Sequence, residues 1–263
     1  MRSVYSIILL LLCFADLGKV VAQPLPGDDG TRRRIRVPIL MYHYVSPLPE
    51  DADDIRLDLT IEPDIFAAHM QYLHDEGYTT ISLYDLYDAL RYGAALPPKP
   101  VILTFDDGYI DHYAYVFPVL QQQGFTGTFF VITGRADSGD PAYISWSEVG
   151  EMEAAGMDME AHTKTHLSLD GRERDFLIYE LLGSQQSLTS HHGMEVRMLA
   201  YPAGQYDELT LQIADELGFW LAVTTRPGIS HTTDERLELA RIRVSGNTGV
   251  AGLAHLLSGN WLD

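Results

Sequence analysis

Cysteine is almost missing from this chain of 263 residues, in which Cys13 is the single example. It falls within an apolar segment near the start, so removal of that segment would leave no disulfide and no thiol nucleophile. Basic residues are also scarce: 18 Lys and Arg stand against 37 Asp and Glu, for a formal net charge of −19. Such an acidic surface repels nucleic acid and anionic lipid but tolerates a neutral sugar polymer. We therefore expect no nucleic-acid partner.

Apolar runs long enough to span a membrane are also missing, because the run that follows Arg2 ends at about Phe14. A basic start, a short apolar run and the small residue Ala22 before Gln23 are typical of a secretory signal. We expect residues 1–22 to be a signal peptide and the protein to be secreted or periplasmic. An uncleaved anchor, which would leave the protein peripheral to the cell envelope, is the alternative.

The rest of the chain shows no internal repeat and no low-complexity tract. Residues 23–36 contain Pro, Gly, Asp and the basic run Arg32–Arg34, and we predict a flexible leader there. Residues 37–263 have a length that suits one α/β domain.

Two adjacent acids follow the most clearly buried strand that the sequence predicts. Residues 101–105 are apolar or β-branched, Asp106 and Asp107 come next, and Gly108 ends the strand. Because the chain turns there, both carboxylates can reach one cleft, and their repulsion separates their pKa values unless a cation intervenes. The economical arrangement puts one Asp on a metal and makes the other a general base. An ordinary Asp-Asp-Gly turn is the alternative.

Two histidines follow a second predicted strand, residues 157–161. His162 and His166 are four residues apart, which we expect to place both rings on one side of a helical turn, where they can bind one metal. With an Asp from another strand end they predict a two-His, one-carboxylate site with open positions. Such ligands suit a divalent ion: zinc is our first expectation, with nickel, cobalt or iron as alternatives.

Thr104-Phe-Asp-Asp-Gly108 followed by His162-Thr-Lys-Thr-His166 resembles the NodB-type polysaccharide deacetylases, carbohydrate esterase family 4. The resemblance runs from Val37 to Val244 and implies an α/β fold, a distorted (β/α) barrel of about seven parallel strands. Strand and helix patterns alternate about seven times, which by itself favours a parallel sheet with right-handed crossovers. The implied activity is metal-dependent hydrolysis of acetyl groups on a polysaccharide.

The same resemblance gives each residue of the two motifs a role. It implies that Asp107, His162 and His166 hold the metal and that Asp106 is the catalytic base.

A third segment, residues 37–45, resembles the Tyr-His-x-Val opening of the subgroup that acts on poly-β-1,6-N-acetylglucosamine. This implies His43 as the catalytic acid, with His231 as the alternative, and an N-acetylated glucosamine polymer as the substrate. Peptidoglycan, chitin-type β-1,4 polymers and O-acetylated xylan are the other substrates that the resemblance allows. His112, which follows the acids and lies within a predicted helix, is expected to be a packing residue.

The segment Tyr201-Pro-Ala-Gly204 resembles the family's Arg-x-Pro-x-Gly motif. The resemblance implies that the Ala203 N–H binds the oxyanion and that substrate contacts come from Tyr201, Pro202 and Gly204. No arginine holds the usual position beside the base, and we expect Arg243 or Arg197 to replace it.

Trp146 matches the family's aromatic wall beside the site and is predicted to contact substrate, with a packing role at the edge of the core as the alternative. The acid that usually accompanies it is not clearly matched, and Asp140 is a distant candidate. Together with the missing arginine, this favours one competing class: a secreted sugar-binding protein with a degraded site.

Overall fold

The computed structural model describes residues 30–193 and 195–261. The predicted signal peptide therefore lies outside the described residues. Among the described residues no helix has the length and apolarity needed to cross a bilayer. The strands are β1 (Arg34–Arg36), β2 (Ile39–Tyr42), β3 (Tyr44–Val45), β4 (Thr60–Ile61), β5 (Thr79–Thr80), β6 (Pro100–Phe105), β7 (Thr128–Val131), β8 (Asp158–Ala161), β9 (Met198–Ala200), β10 (Leu221–Pro227), β11 (Ser230–Thr232) and β12 (Leu239–Arg243).

Helical segments separate consecutive strands from β3 to β10, and they include a π-helical turn at His112–Val116 and a 3-10 turn at Pro202–Gly204. The α-helices are α1 (Asp54–Leu59), α2 (Pro63–Asp75), α3 (Leu83–Tyr92), α4 (Phe117–Gln123), α5 (Thr133–Ser138), α6 (Trp146–Ala154), α7 (Arg174–His192), α8 (Glu208–Glu216) and α9 (Val250–Ser258).

Seven parallel strands close into a barrel in the order β2, β12, β10, β9, β8, β7 and β6. The ring closes because β2 pairs with both β12 and β6. The prediction of a distorted (β/α) barrel of about seven strands is confirmed. Short β5 pairs with the first residues of β6.

Alternate side chains along the barrel strands pack on opposite faces, as the two-residue period of a strand requires. Ile39, Ile102 and Phe130 share one buried cluster, which we place inside the barrel. Leu103 and Phe129 belong to another cluster that includes residues of α2 and α4. The interior face of β6 therefore continues from Ile102 through Thr104 to Asp106, which carries this acid to the end of the barrel.

The last part of the predicted flexible leader is ordered, which corrects that prediction. Arg34–Arg36 form β1, which pairs antiparallel with β11. Arg33 adds hydrogen bonds from its guanidinium to the carbonyls of Leu90 and Arg91. These contacts with distant segments stabilise a stretch whose composition alone suggests a linker.

Candidate metal centre and active site

The residues of both sequence motifs meet at the carboxyl end of the barrel. His43 follows β2, Asp106 and Asp107 follow β6, and His162 follows β8. Parallel strands end on the same side, so these side chains line one cavity of about 620 Å³. His166 and Ala203 also line it, so the cavity contains every residue predicted to bind metal or to take part in catalysis.

Three potential metal ligands converge in this cavity. The Oδ1 atom of Asp107 lies 3.3 Å from Nε2 of His162 and 3.1 Å from Nε2 of His166. One ligand atom from each residue lies within 4.8 Å of the others. Burial alone would raise the pKa of Asp107, but the two imidazoles outweigh it and hold that pKa well below its usual range.

The donor set fits a cation because its lone pairs face one another. Nδ1 of His162 lies 2.7 Å from the carbonyl oxygen of Ala200, so Nδ1 carries a hydrogen, and Nε2 is an acceptor whenever the ring is neutral. That acceptor faces Oδ1 of Asp107, a buried atom without a hydrogen-bond partner. Two facing acceptors repel each other unless a proton or a metal ion lies between them. The chemistry of these residues therefore suits a divalent metal.

The loop that carries both histidines is not a helical turn. The prediction that His162 and His166 lie on one side of such a turn is therefore wrong. Thr163 and His166 adopt left-handed backbone conformations, with φ of 61° and 62°. The hydroxyl of Thr163 accepts a hydrogen bond from the His166 N–H at 3.1 Å. Buried Glu180 on α7 accepts hydrogen bonds from the N–H groups of Lys164 and Thr165, at 3.0 and 2.8 Å. Sequence analysis did not predict a role for Glu180, because it lies within an ordinary helical pattern.

Asp106 is bound by Arg241, and not by Arg243 or Arg197 as predicted. Nη1 and Nη2 of Arg241 each lie 2.7 Å from one oxygen of the Asp106 carboxylate. The guanidinium also donates to the Thr104 hydroxyl and to a backbone carbonyl, so four of its five N–H groups have acceptors although it is buried. Burial would raise the pKa of Asp106, but the attached guanidinium holds it below its usual range.

The two arginines that were predicted instead have other partners. Arg243 is two residues further along β12, at the cavity wall, where it pairs with Asp58 at 3.6 Å. Arg197 precedes β9 at the amino end of the barrel, and it donates to the Gly218 carbonyl. The two-residue period of a strand places Arg241 and Arg243 on the same face of β12. It does not predict which of them lies level with the Asp106 carboxylate.

His43 is the histidine nearest to Asp106, the predicted base. Its Nε2 lies 3.9 Å from Oδ2 of Asp106. Burial lowers the pKa of His43 to about 4, although the nearby carboxylates oppose the shift. The alternative acid, His231, lies on β11 with its Nε2 2.9 Å from the carbonyl oxygen of Val37, which precedes β2 at the other end of the barrel. That location excludes His231 from the cavity.

Ala203 lines the cavity in a left-handed conformation, with φ of 52°. The next residue, Gly204, has φ of +67°, and a Cβ atom on it would lie 2.1 Å from the Thr225 hydroxyl oxygen. Glycine is therefore required here on steric as well as backbone grounds. The neighbouring Tyr201 is fully buried and its hydroxyl donates to the Leu237 carbonyl at 3.0 Å.

None of the four residues predicted to contact substrate lines the cavity as the structure describes it. Tyr201, Pro202 and Gly204 instead build the turn that presents Ala203. Trp146 begins α6, where its indole N–H donates to Asp137 at 3.2 Å. Asp137, not the predicted Asp140, is thus the acid that accompanies the tryptophan.

A wall that sequence analysis did not predict completes the cavity. It is formed by α1 and by Tyr44 and Tyr109, whose rings stack with centroids 3.8 Å apart. The Arg56 guanidinium lies 3.3 Å from the centre of the Tyr44 ring. The short α1 alternates charged and apolar residues, so its sequence lacks the three-to-four-residue apolar period that marks a helix.

Comparison with known proteins identifies the class of enzyme. Residues 93–222 match the family model described as polysaccharide deacetylase. Over 229 residues the chain is 33% identical to YxkH of Bacillus subtilis, for which polysaccharide deacetylase is a candidate activity, with coverage of 87% of this chain and 78% of that protein. The chain therefore belongs to the polysaccharide deacetylase family, the NodB-type hydrolases of carbohydrate esterase family 4.

Two further relatives refine the comparison. The structure of the Streptococcus pyogenes deacetylase PplD in complex with acetate superposes with a TM-score of 0.79 and 32% identity, covering 86% of this chain and 99% of that one. The poly-β-1,6-N-acetyl-D-glucosamine N-deacetylase of Escherichia coli K12 is 38% identical over 72 residues, which is 27% of this chain and 11% of that protein. The predicted family is thus confirmed, and the similarity to the poly-β-1,6 subgroup is partial.

Proposed function

We propose that the chain is a secreted, metal-dependent N-deacetylase that hydrolyses acetyl groups from N-acetylglucosamine units of a polysaccharide. One observation carries the proposal: Asp107, His162 and His166 converge in the cavity that also holds Asp106 and His43. Three ligands beside a carboxylate base and a histidine acid provide the groups that amide hydrolysis requires.

Asp107, His162 and His166 would hold a divalent ion, with zinc as the first candidate and nickel, cobalt or iron as alternatives. When bound, such an ion polarises a carbonyl oxygen and lowers the pKa of water.

Asp106 accepts the proton of the attacking water. Arg241 binds both oxygens of Asp106 and so fixes the plane of the carboxylate, while each oxygen keeps a second lone pair for the proton. The Ala203 N–H, presented by its left-handed turn, donates to the developing oxyanion.

His43 donates a proton to the departing amine. Because its ring is neutral in the free protein at pH 7, the proton must reach it during the reaction. Asp106 lies 3.9 Å away, so a small movement allows it to pass on the proton that it took from water.

The proposed substrate and location have weaker support than the proposed reaction. The Tyr-His-x-Val opening and the 38% identity over 72 residues support a β-1,6-linked polymer. The net charge of −19 disfavours nucleic acid as a partner. The pattern of residues 1–22 supports export, to a secreted or periplasmic location or to the surface of the envelope.

A degraded sugar-binding protein is less well supported than an enzyme. The missing motif arginine had favoured it, but Arg241 binds Asp106 from another strand. The acid missing beside Trp146 is likewise supplied by Asp137.

Acetate release tests the proposal. The zinc-loaded protein is assayed on β-1,6- and β-1,4-linked N-acetylglucosamine oligomers and on acetylated xylan, and then again after treatment with a chelator. We expect release from the β-1,6 oligomers that stops on chelation and returns with zinc. The proposal fails if the metal-loaded protein frees no acetate from either glucosamine oligomer.

A further inference from the structure

His112 has no part in the chemistry proposed above, yet it is fully buried next to the cavity. Its ring lies among three aromatic rings, with centroid distances of 5.8 Å to Phe105, 6.0 Å to Tyr109 and 5.7 Å to Phe129. Burial of a polar ring in such surroundings costs free energy unless the ring makes a hydrogen bond. The hydrogen bond that the His112 ring makes must therefore offset the cost of its burial.

That bond joins His112 to His43. Nε2 of His112 lies 2.7 Å from the carbonyl oxygen of His43. A carbonyl can only accept, so Nε2 carries the hydrogen. Nδ1 of His112 is buried without a partner, so the bond from Nε2 is the only hydrogen bond of the ring among the described residues.

His43 lies at a break in the strand. The pairing of β2 with β6 ends at Tyr42, the pairing of β3 with β4 begins at Tyr44, and His43 belongs to neither ladder. Its peptide therefore needs another contact to hold its direction, because backbone groups at a break lack the regular partners of the sheet.

The turn that carries His112 packs next to this break in the strand. His112–Val116 is π-helical, and the Phe117 N–H donates to the His112 carbonyl. Single π-turns of this kind occur frequently at functional sites. The π-turn thus packs against β3, and its first residue holds the chain at the break between β2 and β3.

We propose that His112 is a positioning residue that fixes the backbone of His43 and thereby the distance of its ring from Asp106. This inference rests on the proposed function, because it takes His43 as the acid. Without the donor, the His43 peptide is free to rotate and the ring leaves its place above the carboxylate. A displacement of about 1 Å in a catalytic group can cost about 10²-fold in rate.

Three variants and one control isolate the hydrogen bond. H112F keeps a ring in the aromatic pocket but removes the donor, and H112Q restores an N–H at a similar reach. H231F is a matched control, because it removes the same kind of bond, from a buried Nε2 to a backbone carbonyl, at the other end of the barrel. H43Q tests the assignment of the acid itself. For each protein we measure kcat, KM, Tm and bound zinc.

We expect H112F to lower kcat by about 10²-fold with KM and zinc content close to the wild type. H112Q should recover most of the kcat, and H231F should lower Tm without lowering kcat. A crystal structure of H112F should show the His43 ring moved away from Asp106.

Two results would overturn the role of His112. One is an H112F kcat that falls no further than that of H231F. The other is an H112Q kcat as low as that of H112F, which would mean that the ring matters and the donor does not. Full activity of H43Q is a different failure, because it removes His43 from the proposed mechanism whatever the His112 variants do.

Discussion

Arg241 and Asp106, which are 135 positions apart in the chain, form a buried pair joined by two hydrogen bonds of 2.7 Å. The arginine is fully buried and the aspartate is 2% exposed. A bidentate pair fixes the orientation of the carboxylate as well as its charge. The relation therefore links the stability of the barrel to the placement of the proposed base.

Replacing Arg241 tests both effects. R241M leaves Asp106 buried without a counter-charge, and we expect a loss of about 3–5 kcal/mol in the free energy of unfolding. R241K keeps the charge but not the planar fork, so it should retain more stability while losing kcat by about 10²-fold. Chemical denaturation and acetate release measure the two quantities. Wild-type kcat in R241K would show that the orientation of Asp106 does not matter.

Replacing the base should separate turnover from metal binding. D106N keeps the shape of the side chain, and Asp106 is not one of the three converging ligands. We expect kcat to fall by about 10²–10⁴-fold because the group that accepts the proton is lost. Zinc content, measured by mass spectrometry of the purified protein, should equal that of the wild type. Normal turnover in D106N would remove Asp106 from the role of base.

The candidate metal site predicts that zinc raises the Tm. A ligand that binds only the folded state stabilises it, by about 2.7 kcal/mol at 100 times its Kd. Zinc should therefore raise the Tm of the wild type but not of the double variant H162A/H166A. H74A/H255A is the control, since both of these histidines lie outside the cavity. One equivalent of zinc retained by H162A/H166A would contradict the ligand set.

The raised pKa of Glu160 predicts how the stability of the protein depends on pH. It is buried at 3% exposure, and burial raises its pKa to about 8, although Tyr84 and the N–H of Met198 donate to it. The folded protein thus keeps a proton that the unfolded chain, with a carboxyl pKa of about 4.3, has released. This contribution is complete below about pH 4, and it is lost as the pH rises to about 8.

The variant E160Q should remove that dependence, because a neutral amide can accept from the backbone and donate to Tyr84. At pH 9 we expect the Tm of E160Q to exceed that of the wild type by about 2–4 °C or more. A shift of 2–4 °C corresponds to about 1 kcal/mol in the free energy of unfolding. Near pH 5 the difference should be small. Thermal unfolding followed across this range measures it, and a parallel pH profile for both proteins would refute the raised pKa.

Sequence motifs predicted much of the site because their information is local. Asp106 and Asp107 are adjacent, and His162 and His166 are separated by a short loop, so their residue types and spacing suggest a metal before any fold is known. The strand endings explain why the two groups meet, because parallel strands in a barrel place their carboxyl ends together. The helical turn expected for the histidines was wrong, since two residues of that loop have positive φ.

Other predictions failed because they depended on which side chains meet in the folded protein. Arg243 lies two residues from Arg241, which binds Asp106, and both are on the same face of β12. They differ only in how far along the barrel each side chain lies. Asp140 was three residues from Asp137, which differs in lying where the Trp146 indole N–H can reach it. His112 looked like a packing residue because no pattern reveals which carbonyl a buried ring will meet.

By itself, then, the sequence determined the family, the alternation of strands and helices and the three residues of the candidate metal site, since hydrophobic period and short motifs are properties of neighbouring residues. Only the tertiary structure decided which arginine binds the proposed base and which histidine lies beside it. Those contacts depend on strand register and barrel closure, which set the distance between side chains that the linear chain leaves far apart.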